Sequence, residues 1–299
     1  MTEHTRRNFL KGVSSTALAA GAIHTWPRDA KSEAPQKRPH YTKMVGDVPA
    51  VKLGNTSLET TLLGVGTGTH SGNDFLNLGQ AGFVDLMHHA FDRGIRYIDT
   101  ADNYRTHLFV RFAMQGYPRD EFFIQTKTPS RHPEVVKADL NRYRRELKTD
   151  YLDSVLMHCM RDGGWPGDMR PVLDVLLEEK EKGRIKSVGV SCHGFEPLLS
   201  TLDVKELDIN LVRINPFQLK MDGPCDEVVP ICEKNARRGL GMIGMKIFGE
   251  SGLKTPEERY ESLKYVMNLG CIDCFTIGFT EKSQIDETID MVHQIRAEA

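Results

Sequence analysis

The feature that most constrains this chain is an alternation. Beyond residue 50, eight short apolar runs (61–66, 96–99, 122–126, 151–157, 185–190, 209–214, 241–246 and 274–277) are separated by longer amphipathic stretches. Runs this short, without sustained polar alternation, suit strands buried on both faces, as in a parallel sheet. The intervening periodicity predicts helices near 80–93, 107–115, 132–148, 169–182, 195–202, 225–238, 256–269 and 281–297. Pro133, Pro197 and Thr255-Pro256-Glu257-Glu258 are start signals, and Gly94, Gly183, Gly239 and Gly270 are stops. Eight strand–helix units in about 240 residues is the count of a closed (β/α)8 TIM barrel of the α/β class, with right-handed crossovers. A doubly wound open sheet is the competitor, but it expects Gly-x-Gly-x-x-Gly opening a helix. Here Gly64-Val65-Gly66-Thr67-Gly68 runs on without a helix start. Ahead of the first strand, 51–59 reads as a hairpin around Gly54-Asn55-Thr56-Ser57, capping one end of the barrel.

The first residues do not fit this pattern. Arg6-Arg7-Asn8-Phe9-Leu10-Lys11 precedes a short apolar stretch, Gly12 to Ile23, with small residues around Ala20-Gly21-Ala22. A basic start, a short apolar stretch and small residues make an export signal, and the paired arginines resemble the twin-arginine consensus. The expected division is a signal peptide at 1–23, a linker at 24–48 and the barrel at 49–299. The expected partner is then the twin-arginine export machinery, the location periplasmic, with no stable membrane insertion after cleavage. The 39 Lys+Arg against 41 Asp+Glu leave net charge near zero, and no basic stripe interleaves with aromatics, so nucleic acid is not an expected partner. Cys271 and Cys274 are the only closely spaced of six cysteines, with no second pair to complete a zinc set, so a structural, reduced role is expected and no metal.

Reactive groups in such a barrel belong at the carboxyl ends of strands. Asp99 closes the second run, Tyr104 follows it, Lys127 follows the third and His158 the fourth. A phenol is a poor acid or base at neutral pH, and a neighbouring ammonium favours its phenolate, so the expectation is a Tyr104 pKa lowered by Lys127. Asp99 would keep Lys127 charged, and His158 would orient a substrate carbonyl. An alkoxide formed there would sit among fixed donors. Taken singly, each residue has an ordinary structural reading: a turn cap, a packed aromatic, a solvated strand end, a satisfied core imidazole.

Several segments resemble the aldo-keto reductase family. Residues 94–104 (Gly-Ile-Arg-Tyr-Ile-Asp-Thr-Ala-Asp-Asn-Tyr) are similar to the segment carrying its catalytic Asp and Tyr. Residues 122–127 resemble the one carrying its Lys and 147–158 the one carrying its His, and 53–56 and 182–191 match in order. The resemblance spans about 50–290. It implies an oxidoreductase transferring hydride between a nicotinamide cofactor and an aldehyde, ketone or alcohol, with the cofactor extended across the barrel mouth.

The implied cofactor contacts are Gly66 and Thr67 after the first strand, and Ser191 with Cys192 after the fifth, where the family carries Ser-Asn. Asn215, or Arg213, replaces the family's strand-six Gln. Lys246, Phe248 and Gly249 follow strand seven, and Gly278, Thr280, Gln284 and Glu287 lie at the last helix start. His193 is a candidate to compensate for Cys192. Gln284 stands where the family commonly has an Arg for the 2′-phosphate, with Lys282 or Ser283 as substitutes, so the balance leans slightly to NADP over NAD. Trp165 is either a substrate-facing wall or rim packing. Two other readings are a nicotinamide-binding regulatory barrel with relaxed catalysis, and a metal-dependent barrel hydrolase or isomerase. An assay of cofactor oxidation separates the first, and metal analysis the second.

Overall fold

The computed structural model describes residues 38–299. The signal reading at 1–23 and the first part of the linker lie outside these residues.

Eight parallel strands close into a barrel: β4 (Leu63–Gly66), β5 (Tyr97–Asp99), β6 (Phe123–Thr128), β7 (Ser154–Met160), β8 (Val188–Cys192), β9 (Ile209–Arg213), β10 (Gly241–Met245) and β11 (Cys274–Ile277). Each pairs with its neighbour in sequence, and β11 pairs with β4 to close the ring. Nearly every strand residue is buried, which is why the runs lack polar alternation. Among the described residues ten α-helices accompany them: α1 (Asn73–Asn77), α2 (Gly79–Asp92), α3 (His107–Ala113), α4 (Pro133–Leu147), α5 (Trp165–Asp168), α6 (Arg170–Glu181), α7 (Phe195–Leu199), α8 (Cys225–Arg237), α9 (Pro256–Asn268) and α10 (Lys282–Ala297). The start signal before α9 is a full capping box: Thr255 Oγ1 accepts from Glu258 N at 3.2 Å, and the Glu258 carboxylate accepts from Thr255 N at 3.0 Å. Gly94 turns the chain at φ +101°, where a Cβ would also strike the Val45 carbonyl, so both conformation and space require glycine.

The hairpin cap is β2 (Val48–Lys52) against β3 (Glu59–Thr61), with the expected turn residues between them. A strand the sequence reading placed in the linker, β1 (His40–Val45), pairs antiparallel with β2 and makes a three-stranded sheet. The ordered unit therefore begins well before residue 49. The sheet holds the amino-terminal end of the barrel: Asn55 N donates to Gly239 O at 2.8 Å, and Gly54 N to Asp273 Oδ2 at 3.2 Å. Arg38 locks the same end, with Nη1 2.7 Å from Asp273 Oδ2 and further bonds to the carbonyls of Leu240 and Ala236. The opposite face is left to the strand ends that carry chemistry.

Strands β7 and β8 begin three residues later than their apolar runs. Leu152 and Ile185 meet only as an isolated bridge, and the ladder begins at Val155 and Val188. His158 thus sits inside β7, two residues before its end. Cys271 and Cys274 are buried free thiols, as are Cys192 and Cys232.

Candidate active site

Alternation along a strand aims residues of equal parity into the barrel. On β5 these are Tyr97 and Asp99, on β6 Gln125 and Lys127. They form one hydrogen-bonded chain: Gln125 Nε2 donates to Tyr97 Oη at 2.8 Å and to Asp99 Oδ1 at 2.9 Å, and Lys127 Nζ donates to the same Oδ1 at 2.6 Å. A second Lys127 bond goes to Thr100 O at 2.9 Å. Lys127 is 1 % exposed, so this ion pair is dry and held from beneath. An ammonium has three protons. Two are taken, and the Tyr104 ring lies beside the amine with its centroid 4.8 Å away.

Tyr104 is delivered by a short 3-10 turn, Asp102–Tyr104, followed by Arg105 in the left-handed region at φ +60°. Three buried hydroxyls clamp the chain behind it, Thr106 Oγ1 lying 2.9 Å from Thr67 and 2.8 Å from Thr100. From the third side His158 Nε2 reaches to 3.5 Å from Tyr104 Oη. The residue after it, Cys159, is held at φ +61°, a conformation uncommon for a side chain bearing Cβ. Ser191 Oγ accepts from Cys159 N at 3.0 Å, and the Arg131 guanidinium donates to the carbonyls of His158 and Cys159. This support fixes the bend that aims the imidazole.

The electrostatics depart from expectation at one point. Burial raises the Tyr104 phenol above its usual pKa, outweighing the lowering by Lys127. The expected lowering is therefore overturned: the phenol is a held proton, not a near-phenolate. Burial works to lower Lys127, but Asp99 and Tyr104 outweigh it and keep the amine above the ordinary lysine value. His158 is pushed down to about 3 by burial, with Lys127, His193 and Arg131 adding to it. At neutral pH the set is phenol, ammonium and neutral imidazole.

A cavity of about 580 Å³ runs from this set along the barrel mouth to α10, within the usual size of ligand sites. Of the residues expected to hold a cofactor, Gly66, Ser191, Lys246, Phe248, Gly278, Thr280, Gln284 and Glu287 line it. Four do not. Thr67 is a buried member of the hydroxyl clamp. Cys192 points into the core, its Sγ 3.3 Å from Pro197 O, and His193 lines the cavity beside it. Asn215 braces its own loop, donating to Leu219 O and Lys246 O and accepting from Leu219 N. Gly249 packs against Leu219, where a Cβ would lie 2.6 Å from its side chain. Arg213 is bound to Asp222, which also accepts from Gly194 N at 2.7 Å. Trp165 packs under the rim, its indole N–H donating to Pro197 O at 2.9 Å.

The residues present fit an extended dinucleotide. A Cβ at Gly66 would lie 2.5 Å from Thr276 Oγ1 and one at Gly68 2.5 Å from the Tyr104 ring, so both side chains seat directly against glycine backbone in the cavity wall. Thr276 is among the residues lining the cavity, and its Oγ1 is buried without a hydrogen-bond partner, a polar atom left unmet at the wall. Ser191 Oγ accepts one bond and keeps its proton for a ligand carbonyl.

The model described as Aldo/keto reductase family matches residues 62–293, the barrel from its first strand into its last helix. The chain belongs to the aldo/keto reductases. Among curated relatives, aldo-keto reductase YhdN of Bacillus subtilis (strain 168) is 25 % identical over 201 residues, 61 % of this chain and 58 % of its own length. D-threo-aldose 1-dehydrogenase of Pseudomonas sp is 24 % identical over 228 residues, 65 % of this chain and 68 % of its own. The chain thus spans well under the full length of the curated relatives it matches. Among solved structures, an aldo-keto reductase from Bacillus halodurans in its holo form superposes with a TM-score of 0.68 at 18 % identity, covering 82 % of this chain and 91 % of that one. At that identity the likeness speaks for the fold alone.

This aldo/keto reductase carries site residues that motif reading missed. Gln125 shares the parity of Lys127 two residues on, and that spacing was the available signal. Arg131 supports the His158 bend, Gly68 makes room for the phenol, and Arg161 and Lys254 line the cavity. None of these four has a local pattern that separates it from a loop residue.

Proposed function

We propose that this aldo/keto reductase interconverts an aldehyde or ketone and its alcohol with a nicotinamide cofactor. The observation that carries the reading is the buried Lys127–Asp99 pair at 2.6 Å beside the Tyr104 phenol, with the neutral His158 imidazole 3.5 Å from its oxygen. When bound, a reduced nicotinamide supplies the hydride that the carbonyl carbon accepts. Tyr104 gives its proton to the carbonyl oxygen as negative charge gathers there, and Lys127 stabilises the phenolate that remains. His158 aligns the oxygen without competing for the proton, because its imidazole is neutral to about pH 3. Asp99 and Thr100 fix the lysine. Ser191 and His193 form the wall that would hold the nicotinamide. The test is Tyr104→Phe: turnover of a carbonyl panel should fall by about 10² or more while cofactor affinity holds. Unchanged turnover sinks the assignment.

For the adenosine end the geometry favours NAD over the slight NADP lean of the sequence. Gln284 Oε1 is turned inward, accepting from Thr280 N at 2.8 Å, and Glu281 caps the same helix start with a carboxylate. Lys282 is bound to Asp85 at 2.7 Å, and Arg259 is bound to Glu287. Among the described residues the cations bonded around the start of α10, Lys282 and Arg259, are each taken by a carboxylate, and Glu281 adds an acid there, which disfavours a 2′-phosphate. Equilibrium dissociation constants for NADH and NADPH test this, and tighter NADPH refutes it.

We infer export by the twin-arginine route from the basic start, with the cofactor leaving the cytoplasm bound to the folded protein. Replacing Arg6 and Arg7 with Lys should retain the protein inside the cell. Unchanged export, or an exported protein without cofactor, counts against the inference.

A further inference from the structure

Four carboxylates line the cavity, and each meets a basic group. Lys127 holds Asp99, Lys246 holds Glu250 at 2.6 Å, Arg259 holds Glu287, and the His70 ring lies 3.0 Å from Asp74. Two cations on the same walls meet no carboxylate among the described residues. Lys254 Nζ donates to the Ser251 carbonyl at 2.6 Å, and Arg161 Nε donates to Cys159 Sγ at 3.3 Å. Lys254 lies just before α9, near the Arg259 end, where the phosphates of an extended dinucleotide would run. Arg161 lies three residues beyond His158, at the end where the carbonyl reacts.

The surroundings of Arg161 deepen the imbalance. Arg131, which braces His158 and Cys159 through their carbonyls, also meets no carboxylate among the described residues. Burial, then Arg213, Lys246 and Arg161 in that order, holds the His193 side chain neutral down to about pH 4. Among the described residues the carboxylates on this part of the wall are Asp99, taken by Lys127, and Glu250, within reach of His193 and taken by Lys246. A guanidinium presents a planar fork of donors matched to a carboxylate, and a thiol uses little of it.

We propose that the substrate carries a carboxylate close to its reacting carbonyl and that Arg161 receives it at the cavity mouth; the inference rests on the reductase reading above. In the reaction the carbonyl carbon gains hydride and its oxygen gains the Tyr104 proton, so an oxo-carboxylate becomes a hydroxy-carboxylate. The carboxylate itself is unchanged and serves for recognition. Because Arg161 is exposed, the attraction is moderate and sensitive to salt.

The test compares 3-formylbenzoate with 3-formylbenzamide, which match in size and differ in charge, as substrates of the full chain and of Arg161→Ala and Arg161→Lys. The wild type should favour the acid in kcat/KM by about tenfold, and the preference should shrink as salt is raised. Arg161→Ala should abolish the preference, the larger loss in kcat/KM falling on the acid, while Arg161→Lys keeps part of it. Turnover of both aldehydes with no preference, or with a preference that survives Arg161→Ala, overturns the carboxylate inference and leaves the reductase reading intact. If the protein binds cofactor and reduces neither aldehyde, the reductase reading is what has failed. Calorimetry with benzoate and benzamide then decides: benzoate binding lost in Arg161→Ala upholds the anion site, and equal binding in both proteins rejects it.

Discussion

Removing the charge of Lys127 without unfolding its surroundings is the sharpest probe of the active site. Lys127→Met alone would strand the Asp99 carboxylate in a dry pocket, a loss of about 3–5 kcal/mol that would confuse stability with catalysis. Asp99→Asn/Lys127→Met removes both charges and keeps an amide beside Gln125. The Lys127 amine lies 4.8 Å from the centroid of the Tyr104 ring. Charges at that separation attract by about 3 kcal/mol at an effective dielectric near 20. The phenol is neutral in the ground state and gains negative charge only as it gives up its proton, so most of this energy is felt in the transition state. It corresponds to roughly 10²-fold in rate. The double variant should lose at least that in kcat for a neutral aromatic aldehyde. Its NADH dissociation constant should stay within about threefold, because neither residue is needed to grip the dinucleotide. Steady-state kinetics, cofactor titration and thermal melting separate the three effects. A folded double variant with kcat within about fivefold of wild type would refute the claim that the ammonium stabilises a phenolate.

Further outcomes follow from the same geometry. Reduction should be nearly independent of pH from about 5 to 8, since His158 is neutral down to about 3 and both Tyr104 and Lys127 are held above their usual values; an inflection near neutrality that His158→Gln removes would contradict this. Because the folded pKa of His158 lies below the unfolded 6.5, its contribution to stability is present above pH 6.5 and drains away as pH falls towards 3. Melting temperatures should therefore drop more steeply with acid in wild type than in His158→Gln, and parallel curves would count against a buried neutral imidazole. Gly68→Ala places a Cβ 2.5 Å from the Tyr104 ring at a backbone φ of −98° that alanine accepts, so it should melt normally yet lose about 10² in kcat; full activity would mean the phenol is not confined. Arg38→Ala leaves Asp273 unpaired at the far end of the barrel and should cost about 3–5 kcal/mol of stability with kcat unchanged, Asp273→Asn restoring part of the loss. No change in melting would show the pair to be dispensable.

The barrel, and the gathering of Asp99, Tyr104, Lys127 and His158 at one end of it, were legible in the sequence because both rest on local regularities. Apolar runs mark buried strands, and Asp99, Lys127 and His158 lie near their carboxyl ends. What was missed depends on contacts between distant segments. The strand at His40–Val45 alternates no better than a linker, and it exists because β2 offers a pairing edge. Cys192 and Asn215 sit at cofactor-binding positions of the family pattern, yet a buried rotamer takes one and a loop brace the other. The Tyr104 proton affinity was misjudged in sign because the neighbouring charge is visible in a motif and the surrounding burial is not. Gln284 is polar and stands beside the expected phosphate site, but only coordinates reveal its oxygen turned back to cap its own helix.

Two ion pairs, both buried, occupy opposite ends of this barrel, and only one of them lies beside a cavity. At the closed end, Asp273 Oδ2 accepts from Arg38, Gly54 N and Met242 N, and Arg38 gives its remaining contacts to two backbone carbonyls. Every partner there belongs to the scaffold, so the pair fixes one arrangement of sheet, strand and chain start. At the open end, Lys127 binds one carboxylate and one carbonyl and faces a phenol with its third proton, and that phenol faces a cavity. Burial acts on both carboxylate pairs, but at the closed end it can only stabilise a fold. At the open end the same dry surroundings strengthen the field that Tyr104 feels when a proton leaves it. The difference in role thus comes from one uncommitted donor and the groove beside it.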